Sequence, residues 1–233
     1  MTMNSSISTA STSEGRTVLV IGGHGKVALL LAAEMADTDN RLISVIRHAE
    51  QSDDVRRAGA EPLVADVTTM SAAELDRLIE GVDAVVWSAG NGGRAGAEQT
   101  YAIDRDGCQA VVDAISRSSS RPRFILVSWS GSPDHGVDPA VPFFAYADAK
   151  AQADRYTMAS SVDWTILGPS SLSLEAAGGI TVLPDGHSAH PDTPTSRQAV
   201  ARVIVAVLAH PKTTSHRFIR FSDGSTPIPE AFA

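Results

Sequence analysis

Apolar residues along this 233-residue chain come in short runs separated by stretches of helical spacing. Val18-Leu19-Val20-Ile21 is such a run, β-branched and too short for a globular helix, which predicts a fully buried strand. Glycines at 22, 23 and 25 follow, and then Val27 to Glu34, a helix of strong formers. The alternation continues. Strands are predicted at Arg41–Ile46, Glu61–Ala65, Asp83–Trp87, Arg123–Ser128, Asp163–Leu167 and Arg217–Phe221, and a short one fits Ile180–Leu183. Helices are predicted at Ala49–Ala58, Ser71–Glu80, Glu98–Arg117, Tyr146–Ser160 and Ser196–Leu208. Ser71 with Glu74 matches a capping box. Five strands alternating with helices over the first half imply an α/β fold: one doubly wound parallel sheet, Rossmann-like, with right-handed crossovers. No repeat or linker marks a second domain, so residues 15–233 are read as one domain with a short C-terminal substrate segment.

Ligands of such sheets bind at the carboxyl ends of the strands. Gly22, Arg47, Asp66, Ser88 and Ser128 all fall at predicted strand ends. The turn after the first strand has the spacing Gly22-x-x-Gly25-x-x-Ala28. Glycine permits the tight turn and close approach of a pyrophosphate, and the helix beginning at Val27 offers unpaired N–H groups and the positive end of its dipole. Together these predict a dinucleotide site. Arg47 ends the second strand, where an acid would bind the 2′-hydroxyl of NAD and a base favours NADP. The expected cofactor is therefore NADP(H) in preference to NAD(H), and Lys26 could add a second positive charge. His24 could touch the pyrophosphate.

Composition narrows the partners. The net charge of −8 without a basic cluster disfavours nucleic acid. No apolar run approaches the roughly 18 residues that cross a bilayer. The first residues lack the basic and apolar regions of a secretory signal, and the Ser/Thr-rich segment 1–14 is read as a disordered tail. The one cysteine, Cys108, forms no intramolecular disulfide and is read as a buried apolar residue, which suits the cytoplasm. His187 and His190 have H-x-x-H spacing without further ligands, so no metal is expected. The expected partner is a small-molecule substrate, bound by a monomer or homodimer whose dimer face could use helices 98–117 and 146–160. Its contacts should come mainly from 91–97, 130–145 and 170–194. Trp87 and Trp129 either line a flat pocket or are core or rim packing.

Several stretches together resemble the short-chain dehydrogenase/reductase superfamily, in its atypical NAD(P)H-binding branch. They are VLVIGGHGKVA (18–28), VADV (64–67), VVWSAG (85–90), AIDRDG (102–107), FILVSWSG (124–131), YADAK (146–150) and DWTILGP (163–169). The resemblance implies that Tyr146 gives a proton to the substrate oxygen as NADPH delivers hydride. Lys150, four residues on along the same helix face, would orient the nicotinamide ribose and lower the tyrosine's pKa from its usual value of about 10. It implies that a serine completes the group. The expected Ser-Ser-x-Gly reads Ser128-Trp129-Ser130-Gly131 here, which leaves Ser128 and Ser130 both open, with Ser130 nearer the open end. It also implies adenine contacts at Asp66 and Val67, adenosine and ribose packing on Ser88, Ala89 and Gly90, and a turn at Pro169 beside the nicotinamide. The family's Arg-Pro-Gly reads Gly168-Pro169-Ser170, so a cavity or an altered substrate contact is expected at Gly168. Asp104 is assigned to bracing its helix. The activity implied is reduction of a small carbonyl, quinone or flavin. The alternatives are a non-catalytic redox sensor and, behind it, a sugar-nucleotide epimerase or dehydratase.

Overall fold

The computed structural model describes residues 15–90, 92–93, 96–184 and 192–232. The tail 1–14, part of the glycine-rich loop (Asn91, Arg94 and Ala95) and the pair His187/His190 lie outside the described residues.

The chain opens with β1 (Thr17–Ile21), buried from its second residue on, then α1 (Lys26–Met35) and β2 (Arg41–Ile46). A short helix α2 (Ser52–Arg57) leads to β3 (Glu61–Val64), α3 (Ala72–Ile79) and β4 (Ala84–Trp87). The Ser71/Glu74 capping box is present at the start of α3. Next come α4 (Ala97–Thr100), a π-helical segment at Tyr101–Gly107, α5 (Cys108–Arg117) and β5 (Arg123–Val127). Then follow α6 (Phe144–Ala159), β6 (Trp164–Pro169), β7 (Leu172–Ser173), β8 (Gly179–Val182) and β9 (Thr195–Ser196). The chain closes with α7 (Arg197–Ala209), α8 (Pro211–Thr214) and β10 (Arg217–Gly224).

Eight strands form one sheet in the order β3-β2-β1-β4-β5-β6-β10-β8, parallel except for β8, which runs antiparallel to β10 at the edge. The first six are in the doubly wound order, with the switch in direction between β1 and β4. Burial explains the sequence pattern. Central strands are covered on both faces, so β4 and the last four residues of β1 are wholly buried. On one face Val27, Ala28, Leu31 and Met35 of α1 pack with Val200, Val203, Ile204 and Val207 of α7. On the other, Leu75 and Ile79 of α3 pack with Val111, Val112 and Ile115 of α5. Edge strand β3 differs: Leu63 and Val64 are exposed, and Pro62 sits between them and Glu61, which pairs with Arg41.

Two departures from the expected elements concern the site. The single helix expected over 98–117 is broken by the π-helical turn at Tyr101–Gly107, which changes the residues facing inward and buries Ile103, Asp104 and Gly107. Close packing accompanies it, since a Cβ at Gly107 would lie 3.2 Å from the Trp87 ring. The small parallel pair of β7 and β9 was not anticipated. Two-residue strands carry no readable period.

Candidate functional site

A cleft of about 240 Å³ opens at the switch point, lined by residues 21–25, 45–47, 51, 65–68, 88–90 and 103. Its floor is the glycine turn. Gly22 has φ +87°, and a Cβ there would fall 2.6 Å from the backbone of Ala89. A Cβ on Gly23 would fall 2.5 Å from Ser44 on β2. The turn closes by Gly25 N–H donating to Gly22 O at 2.9 Å, and α1 starts at the next residue. The strands thus come together only because these positions lack side chains, and the N-terminus of α1 is left at the cleft.

The cleft wall contains Gly22, Gly25, Arg47, Asp66, Val67, Ser88, Ala89 and Gly90 of the expected cofactor set. Four expected residues, Lys26, Val27, Lys150 and Pro169, are not in its lining. Lys26 is exposed and does not line the cleft, and the Val27 side chain turns into the core, so its backbone alone faces the turn. Asp66 is held by Thr68, whose N–H and hydroxyl both donate to Oδ1, at 3.0 and 2.6 Å. His24 lines the cleft with Nε2 2.9 Å from Asp54 Oδ2, and the hydrogen bond from His24 keeps the Asp54 carboxyl below its usual pKa.

A second cluster gathers around α6. This helix has no apolar stripe; it buries alanines together with Lys150 and Asp154. Tyr146, Lys150 and Asp154 follow one another at four-residue steps on one face. Lys150 is 3% exposed, donates to Val127 O at 3.0 Å, and lies 3.0 Å from Asp104 Oδ1. Asp104, in the π-helical turn, is fully buried. Its carboxylate sits under Gly90, where a Cβ would come within 2.7 Å of Oδ1. Asp104 is therefore the counter-ion of Lys150 and more than a helix brace. The Asp in AIDRDG was visible in the sequence, but its inward direction depends on the π turn. Burial pulls the Lys150 pKa down, yet Asp104, Tyr146 and Cys108 outweigh it and the net direction is upward.

The expected fall in the Tyr146 pKa is reversed. Burial pushes it up; Lys150 pulls it down, and Asp104 and Asp154 push it up again. The two serines divide. β5 ends at Val127, and the backbone pairing with β6 runs on past it, Ser128 N–H donating to Leu167 O at 2.8 Å and Ser130 N–H to Pro169 O at 2.9 Å, so the side-chain partners alone separate the two serines. Ser128 Oγ donates to Asp154 Oδ2 at 2.6 Å, and Ser132 donates to the same oxygen. Ser130 Oγ is fully buried and, among the described residues, has no hydrogen-bond partner; nor has Asp104 Oδ2. Burial raises the Asp154 pKa to about 6 against the two serine hydrogen bonds.

Aromatic rings flank Tyr146. Phe143 lies 5.3 Å from it and 5.3 Å edge-on to Trp129, which is itself 6.4 Å from Tyr146. His135 extends the group to Phe144. Trp129 lies so close over Gly131 that a Cβ there would fall 2.4 Å from its ring. Trp87, by contrast, is a core residue. Of the two alternatives at Gly168, the cavity is absent: Phe218 and Arg220 of β10 fill that place, 2.6 and 3.2 Å from where a Cβ would lie. Arg220 reaches on to donate to the carbonyls of Ser130 and Ser132. An arginine thus serves this turn from another strand. Pro169 is buried at the end of β6, apart from the cleft at the switch point, and its carbonyl accepts from Ser130 N–H at 2.9 Å.

A family model described as NAD(P)H-binding matches residues 22–211. The UPF0659 protein YMR090W of Saccharomyces cerevisiae is 32% identical over 217 residues, covering 91% of this chain and 95% of that protein. The uncharacterized sugar epimerase YhfK of Bacillus subtilis is 30% identical over 220 residues, covering 92% and 97%. Among solved structures, a proposed NAD-dependent epimerase/dehydratase from Bacillus halodurans superposes with a TM-score of 0.83 at 31% identity, covering 94% of this chain and 99% of that one.

Proposed function

The chain belongs to the NAD(P)H-binding family, and on that premise we propose that it is an NADPH-dependent oxidoreductase reducing a small carbonyl, quinone or flavin. The observation that carries the proposal is the placing of Tyr146 on the α6 face that also holds the buried, ion-paired Lys150. The glycine cradle supports a dinucleotide: side chains at Gly22 and Gly23 would fill it. In this reading Gly22, Gly25 and the backbone at Lys26 and Val27 hold the pyrophosphate. Asp66, Val67, Ser88, Ala89 and Gly90 hold the adenosine half, and Arg47 favours the 2′-phosphate. Lys150 and Pro169 position the nicotinamide end. When bound, NADPH supplies the hydride.

The chain's own part is orientation and proton transfer. Tyr146 is a half-buried phenol whose pKa is pushed upward, suited to give its proton to the acceptor oxygen as that oxygen gains charge. The phenolate left behind then takes a proton back from solvent. Ser130 offers to the same oxygen a hydroxyl with no other partner among the described residues. Ser128 is committed to Asp154 and is the weaker candidate. Trp129 and Phe143 beside Tyr146 favour a flat, conjugated acceptor among the three classes. Cys108, buried and without a disulfide partner, suits a reducing compartment, and we place the protein in the cytoplasm as a monomer or homodimer.

The test is NADPH oxidation followed at 340 nm with a panel of conjugated carbonyls, quinones and flavins, alongside Tyr146→Phe. The reading requires an acceptor that wild type reduces and the variant reduces about 100-fold or more slowly. A second reading is favoured by the names of the Bacillus subtilis and Bacillus halodurans relatives. An epimerase would use Tyr146 and Lys150 on a nucleotide sugar, with no net consumption of cofactor. Isomerised sugar nucleotide without NADPH loss would establish that reading and remove the first.

A further inference from the structure

Lys150 is the group on which the site's electrostatics turn, and its surroundings can be counted. An ammonium has three N–H donors. One faces Val127 O and one faces Asp104 Oδ1, both at 3.0 Å, which leaves one for Tyr146 or a bound molecule. Lys150 is 3% exposed and Asp104 is fully buried. Burying such a pair costs several kcal/mol per ion, and apolar residues of equal volume are commonly as stable or more so. Holding the fold together therefore does not account for Asp104.

We propose that Asp104 is a positioning residue of this site, cancelling the charge of Lys150 so that the lysine acts on Tyr146 as a fixed hydrogen-bond donor and not as a net cation. The proposal rests on the reading of Tyr146 as proton donor and deepens it. An uncancelled ammonium would favour tyrosinate, the form needed to take a proton from an alcohol. A cancelled one leaves the phenol, the form needed to reduce a carbonyl. Asp104 thus keeps Tyr146 in the protonated form that the reductive step uses. The groups bearing on Tyr146 and Lys150 are Asp104 from the π-helical turn, Cys108 from α5, and Asp154 from α6 itself. Arg220 from β10 acts on Asp154, and His135 touches Trp129 and Phe144. The upward direction of the Tyr146 pKa agrees with this arrangement.

The test is a phenolate absorbance titration at 295 nm of the protein without cofactor, so it stands whether or not any acceptor is reduced. The chain has three tyrosines. Burial and the Asp148 hydrogen bond push Tyr101 up to about 12, and the hydrogen bond to Asp113 raises Tyr156, so both ionise late. Subtracting Tyr146→Phe isolates Tyr146. In wild type it should show no ionisation below about pH 10, the usual tyrosine value. In Asp104→Asn its midpoint should move down by about one to three pH units, as expected when an opposite charge is uncovered. Asp104→Glu should restore it. A midpoint in Asp104→Asn that stays or rises overturns the proposal. So does a wild-type Tyr146 that ionises between about pH 6.5 and 9, an outcome that needs no variant at position 104 to fold.

Discussion

Alanine at Gly22 separates the two demands made on the glycine turn. The residue must hold φ +87° and place Cβ 2.6 Å from Cα and N of Ala89. The left-handed backbone costs about 1–2 kcal/mol for a residue with a Cβ. Forcing the added atom against backbone costs about 1–3 kcal/mol more. The sum is near 3 kcal/mol, and at this chain length each kcal/mol lowers Tm by about 2–4 °C, a fall of roughly 6–12 °C. Two controls divide the sum. Gly81 has φ +74° and open space around its Cβ position, so Gly81→Ala carries the backbone cost alone. Gly23 lacks the positive φ but meets Ser44 at 2.5 Å, so Gly23→Ala carries the clash alone. Thermal unfolding by circular dichroism gives all three values. Gly22→Ala should be the least stable of the set and should also lose NADPH binding, because relief of the clash displaces the Ala89 loop from the cleft. Melting of Gly22→Ala within about 2 °C of Gly81→Ala, less than 1 kcal/mol at this size, would refute the close-approach argument.

Other expectations follow from the same contacts. Arg47→Ala should weaken NADPH binding about 10- to 100-fold, the loss of one charged hydrogen bond of about 1.5–3 kcal/mol, and leave NADH binding nearly unchanged in a fluorescence titration. Ser130→Ala should lower kcat with little change in Tm. Ser128→Ala removes a donor from buried Asp154 and should lower stability by about 1–3 kcal/mol, read by urea unfolding. Asp154 binds its proton more tightly folded, at a pKa of about 6, than unfolded. Its contribution therefore favours the fold most below about pH 4 and is lost as pH rises through about 6, on the order of 3 kcal/mol. Comparing Asp154→Asn with wild type at pH 4.5 and 7.5 checks this: the wild-type gain at low pH should be smaller in the variant.

What the sequence disclosed was what neighbouring residues decide. The run Val18–Ile21, the glycines after it and the Ser71/Glu74 box are local patterns, and they appear where the pattern placed them. The parallel, doubly wound sheet followed because alternating strands and helices leave few other arrangements. Features set by distant contacts were not legible. The π-helical turn comes with close packing of Gly107 against Trp87, and nothing in the helical spacing of 98–117 announces it. With that turn hidden, Asp104 read as a brace, and the tyrosine read as acidified by a lysine whose counter-ion was unseen. Gly168 read as a gap because Phe218 and Arg220, which fill it, lie about fifty residues later. Ser128 and Ser130 were equivalent by spacing and are separated only by the reach of Asp154.

The central claim is that the cleft between β1 and β4 takes a 2′-phosphorylated dinucleotide. Titration of the purified protein with NADPH and with NADH, followed by nicotinamide and tryptophan fluorescence, tests it directly. The account predicts saturable NADPH binding at least about 10-fold tighter than NADH, about 1.4 kcal/mol of preference from Arg47. Failure of both to bind, or a preference for NADH, would contradict it.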